Sequence, residues 1–112
     1  MSMNTKQKRK MLKTDLYNFL KWAKHEGIVK TVLTPNQFND LFVLYEGKNF
    51  ILISQNLGVD ILFAIYLYLF KNEEYMMIKS LLDNLEMNYT FFGKQDFVEF
   101  QKLKTKYEKF YG

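Results

Sequence analysis

Ile61-Leu62-Phe63-Ala64-Ile65-Tyr66-Leu67-Tyr68-Leu69-Phe70 is the longest uninterrupted apolar run in the 112 residues, and its reading decides the fold. A membrane-spanning helix needs roughly 20 such residues, and Lys71, Glu73 and Glu74 follow at once. The run therefore reads as a helix from about Leu57 to Phe70, apolar on nearly every side and central in a soluble globule.

The segments on either side fit a layer of helices around it. Leu12, Leu16, Phe19, Leu20 and Ala23 share one face of a first helix that starts near Met11, or at Asp15 if Thr14 caps it, and ends at Glu26. Gly27 supplies a left-handed stop, with Ile28 packing back as in a Schellman motif. Thr34-Pro35-Asn36-Gln37 is a capping box with proline in the first turn, and opens a second helix whose inward stripe is Phe38, Leu41, Phe42 and Tyr45. Gly47 ends it. Asn72 caps a helix over about Glu73 to Leu85, and a last helix over about Gln95 to Phe110 turns Phe97, Phe100, Leu103, Tyr107 and Phe110 to one side.

The expected fold class is mainly α: a compact bundle of about five helices around the buried 61–70 segment. One β element is admitted, a short two-stranded ribbon pairing 50–53 with 87–91. Residues 1–10 read as a flexible basic tail and 11–112 as a single helical domain. With 48% hydrophobic and 18% aromatic residues, the chain can bury a core without staples. It has no cysteine, which removes disulfides, thiolate metal sites and cysteine nucleophiles together. The basic start lacks an apolar stretch behind it, so no signal peptide is expected and the protein is placed in the cytoplasm.

Charge is sorted along the chain. Residues 1–30 hold eight Lys/Arg against two carboxylates, a net of +6; 31–93 hold three against seven, a net of −4; 94–112 hold five against three, a net of +2. Basic ends around an acidic middle point to a polyanion or an acidic protein face as partner. Lys10, Lys13, Tyr17, Lys21 and Lys24 recur at spacings of three and four, a basic helix face with a tyrosine in its middle. Lysines so spaced can follow phosphates, and the tyrosine can stack on a base. Lys6, Lys8 and Arg9 extend the face as an arm, and Lys102, Lys106 and Lys109 form a second basic surface on the last helix.

Catalysis finds no support. The single histidine, His25, sits in a last helical turn where a cation suits the dipole. No metal ligand set, no phosphate-cradling glycine loop and no cofactor motif is present. Ile53-Ser54-Gln55-Asn56-Leu57-Gly58-Val59-Asp60 resembles the turn of a helix-turn-helix element. The helix after it would have to present Arg, Lys, Asn or Gln to base edges, and it is the apolar run instead. Sequence-specific binding of that kind is rejected.

Trp22, Met76 and Met77 are candidate apolar anchors for a protein interface, since Trp and Met are favoured there and adjacent methionines cannot both bury against one neighbour. Excess Lys, Asn, Tyr and Phe with a single proline suits the accessory proteins of bacteriophages and mobile elements, many of which dock on a host enzyme. That is analogy, not physics. The expected function is a small non-enzymatic binding protein that occludes or adapts a macromolecular partner, such as a nucleic-acid-handling host protein that it inhibits. Direct, sequence-independent DNA or RNA binding is the alternative. A protein partner comes first and nucleic acid second; a homodimer is a further option, and no membrane or cofactor is expected.

Overall fold

The computed structural model describes residues 4–87 and 94–110. Among them are six helices and no strand: α1 (Thr5–His25), α2 (Pro35–Glu46), α3 (Phe50–Leu57), α4 (Val59–Lys71), α5 (Tyr75–Met87) and α6 (Lys94–Lys106), followed by a 3-10 turn, Glu108–Phe110. The central helix is α4, where every residue from Ile61 to Leu69 is buried. Helices α1, α3, α5 and α6 pack on it, and α2 packs on α3. Apolar side chains all round a helix leave it no stable place but the middle. No described helix is long and apolar enough to cross a membrane.

Local chemistry sets the helix ends. Asn4 accepts from the Gln7 amide at 2.8 Å while Gln7 Oε1 accepts from the Asn4 amide at 3.3 Å. This capping box starts α1 at Thr5, six residues ahead of the expected Met11, so residues 5–10 are helix and not tail. No apolar periodicity follows that cap, which is why the sequence pattern hid it. Thr14 caps nothing; its hydroxyl donates to the Lys10 carbonyl inside the helix. The box at Thr34 and Gln37 forms as expected.

Three helices close with the same motif. After α1, the Ile28 amide bonds the Ala23 carbonyl and the Gly27 amide that of Lys24, with Gly27 at φ +78°. After α2 the left-handed residue is Lys48 (φ +57°), one beyond Gly47. After α4 it is Glu73 (φ +56°), and Asn72 closes α4, its Nδ2 donating to the Tyr68 carbonyl, where the sequence suggested that it opens α5. A side chain costs about 1–2 kcal/mol in this conformation, offset in part by glycine's greater freedom when unfolded. Lys48→Gly and Glu73→Gly are therefore each expected to stabilise the protein by about 0.5–1 kcal/mol, read as a higher urea midpoint at unchanged slope.

The 50–53 strand is corrected. Residues 50–57 form α3, with Phe50, Ile53 and Ser54 buried, Leu57 half-buried and Leu52 outside. That is an i, i+3, i+4, i+7 pattern, and four apolar residues in a row had masked it as a β run. The expected partner, 87–91, begins at the last residue of α5, and 88–91 lie outside the described residues. Between α3 and α4 stands Gly58 alone, at φ +113°, a conformation left to glycine, where an added Cβ would meet Asp60 Oδ1 at 2.7 Å. Asp60 holds this corner, accepting from the Ile61 amide and, through Oδ2, from the Lys30 amide at 2.9 Å.

Two buried tyrosines give the fold an alkaline limit. Burial, with a smaller contribution from the charge of Glu74, pushes the Tyr45 hydroxyl up to about 12. Tyr68 is raised too, by burial first and then by the 2.7 Å hydrogen bond it donates to Asp15. Both hold their protons more tightly when folded, so this contribution is whole below pH ~10, the ordinary tyrosine value, and that of Tyr45 is lost as pH climbs through about 12, that of Tyr68 higher still. Stability at pH ~11 should fall on the order of 1 kcal/mol for each such tyrosine. Tyr45→Phe removes its share, so urea unfolding near pH 8 and 11 should differ less in the variant than in the parent.

A candidate basic binding face

With α1 starting at Thr5, Lys6 joins the row. Lys6, Lys10, Lys13, Tyr17, Lys21 and Lys24 follow at spacings of 4, 3, 4, 4 and 3, which at 100° per residue confines them to an arc of about 80° over ~27 Å. The buried residues of α1 (Leu16, Phe19, Leu20 and Ala23) occupy the adjoining arc, with Leu20 about 20° from Lys13 at the row's edge. Every member of the row is exposed except Lys13, which is half-buried with Nζ 5.8 Å from the Phe42 ring centre. Lys21 Nζ lies 5.6 Å from the centre of the Tyr17 ring, a cation–π distance.

Two of the expected arm residues leave the row. Arg9 turns to α2, where Nε and Nη2 donate to Glu46 at 2.6 and 2.7 Å and the guanidinium lies over Phe42. Those hydrogen bonds hold the Glu46 carboxyl below its ordinary range, with the charges of Arg9 and Lys13 adding to the effect. Lys8 falls about 180° around the helix from the row's centre.

Beside the row runs an apolar groove. One part, about 370 Å³, lies between α1 and the 28–34 connection, floored by Leu20, Val29, Phe38 and Ile61 with Lys21, Lys24 and His25 at its rim. A second, about 350 Å³, continues toward Lys13 and Pro35 and shares Tyr17, Leu33 and Phe38 with the first. Tyr17 divides the two, its ring edge-on to Phe38 at 5.3 Å. Lys24 Nζ donates to the Lys30 carbonyl at 2.7 Å, tying α1 to the opposite wall. Sequence reasoning missed this groove. The available signal was four apolar residues in the six of Ile28-Val29-Lys30-Thr31-Val32-Leu33, a connection expected to be polar, with Val32 72% exposed.

The remaining candidates are elsewhere. Trp22 projects about 140° around α1 from the row. Half-buried, it packs on Phe19 and Phe110 and walls a separate cleft of about 480 Å³ with Asp15, Asn18 and Lys71. Lys109 stands beside Phe110 at that contact, its Nζ 5.1 Å from the ring centre. Lys102 and Lys106 are exposed and line a shallow concavity on α6 with Phe97 and Val98. Of the methionine pair, Met76 is 88% exposed and Met77 packs against the core. Among the described residues no three His, Cys, Asp or Glu side chains converge as a metal site would require. No protein-family model, no curated protein and no solved structure matches the chain.

Proposed function

We propose that this protein is a small non-enzymatic binding protein of the cytoplasm that docks on a macromolecular partner and occludes or adapts it. The helices form a bundle around α4 whose role is to hold the α1 face rigid. One observation carries the reading: five lysines and a tyrosine in a single row on an unbroken helix, with an apolar groove along the row. Like charges at helical spacings of three and four weaken a helix by about 0.2–0.5 kcal/mol per pair, a cost that a polyanionic partner offsets. An acidic protein surface can use both features, charge on the row and side chains in the groove. Met76 is a second apolar contact for such a partner.

Direct DNA or RNA binding is the second reading, favoured by the half-exposed Tyr17 ring among the lysines. Anisotropy titrations with labelled single- and double-stranded DNA, RNA and poly-glutamate over a salt series separate the two. A protein-directed face binds poly-glutamate at least as tightly as nucleic acid. A nucleic-acid face prefers nucleic acid and loses affinity on Tyr17→Ala, because only bases can stack there. No binding of any polyanion at low salt overturns both readings.

A further inference from the structure

We propose that the cleft between α1 and the 28–34 connection binds a small amphipathic organic anion, an aromatic or short alkyl body carrying one carboxylate. Small-molecule sites are mostly apolar concavities of about 300–1,000 Å³ with a few placed polar groups, and this cleft, at about 370 Å³, is of that kind. Its floor is made of buried side chains, Leu20, Val29, Phe38 and Ile61. Val32, 72% exposed at the wall, leaves apolar surface that a ligand body would cover.

Charge at the rim selects the head group. Lys21, Lys24 and His25 line the cleft, and among the described residues no carboxylate does. Both ammonium groups are positioned: Lys24 Nζ is bonded to the Lys30 carbonyl and retains two N–H groups, while Lys21 Nζ lies over the Tyr17 ring. The nearby acid, Asp60, has Oδ2 engaged by the Lys30 amide. A carboxylate at the rim would accept charge-assisted hydrogen bonds while its body covered exposed Val32 and displaced the water beside it. A neutral body of the same shape would gain only the second.

The test compares naphthoate with naphthamide, of one shape and differing in charge, by amide NMR titration of the full chain. Naphthoate is expected to produce saturable shifts centred on Leu20–Leu33, with naphthamide at least tenfold weaker. Lys21→Gln with Lys24→Gln, both at exposed positions, should abolish the preference for the acid while the protein still unfolds cooperatively, its midpoint lowered by only a few degrees. Equal affinity for the two probes, shifts centred on the Trp22 cleft, or no saturable shift at millimolar probe would each overturn the proposal. Neither probe is a polyanion, so failure here leaves the docking reading standing, and failure of that reading leaves this one standing.

Discussion

Phe63→Ala is expected to destabilise the protein by about 3–5 kcal/mol, against a total of about 5–15 for a domain of this kind. Phe63 is fully buried at the middle of α4. Its ring stacks on Tyr66 at 5.8 Å and meets Phe100 and Tyr107 of the C-terminal segment at 5.7 and 5.8 Å. Truncation removes the ring's transfer free energy and leaves a cavity whose walls are other rings, too stiff to close over it. The loss is felt twice, because Phe63 is also where α6 docks. Phe100 is buried, the only such side chain among those described on that helix, and Tyr66 meets it at 5.5 Å. Urea unfolding followed by circular dichroism should show a much lower midpoint. Phe100→Ala should do similar damage while acting first on α6, so amide exchange there should rise before exchange in α4. A Phe63→Ala protein within 1 kcal/mol of the parent would mean that α4 is not the keystone described.

The elements that sequence pattern made legible are those with strong local chemistry. The Thr34 capping box, the Gly27 stop and the burial of the apolar run are each decided by residues within one or two turns; the first two appear as expected, and the run is buried from Ile61 to Leu69 with Phe70 half-buried at its end. What stayed hidden depends on partners far along the chain. Phe50–Leu57 is helical because its inward positions meet α4 and α2, and a run of consecutive apolar residues does not show which period applies. The left-handed stops at Lys48 and Glu73 use residues with no preference for that conformation, so only tertiary geometry picks them out. The basic row was readable from Lys10 onward and lacked Lys6, since the helix start at Asn4 is signalled by a cap without an apolar stripe behind it. The groove was invisible for another reason: its walls come from α1, a connection, α2 and α4, which no spacing within one segment can bring together.

Lys13→Glu, Lys21→Glu and Lys24→Glu together should lower affinity for double-stranded DNA, if the face binds it, on the order of a thousandfold in 50 mM salt. Each phosphate neutralised releases counterions and adds about 0.9 to the slope of log affinity on log salt, so three lost contacts remove about three decades at that concentration. The salt slope itself should fall by about 2.7. For an acidic protein partner the loss is smaller and the slope shallower, since an apolar groove contact is insensitive to salt. Folding should weaken modestly, on the order of 1 kcal/mol, because Lys13 is half-buried over Phe42 and its charge acts on Glu46. Lys21 and Lys24 are exposed, and reversing both exchanges one like-charge i, i+3 pair for another at no net gain; the lost Lys24 bond to the Lys30 carbonyl costs about 1 kcal/mol. The decisive control is Lys102→Glu, Lys106→Glu and Lys109→Glu, which shifts net charge identically, from +4 to −2. If affinity follows overall charge, the two triples fall alike and α1 has no special role. If the row on α1 is the docking face, the first loses binding and the second keeps most of it, because the ordered spacing of lysines along ~27 Å of one helix, and not the basic composition, is what meets the partner.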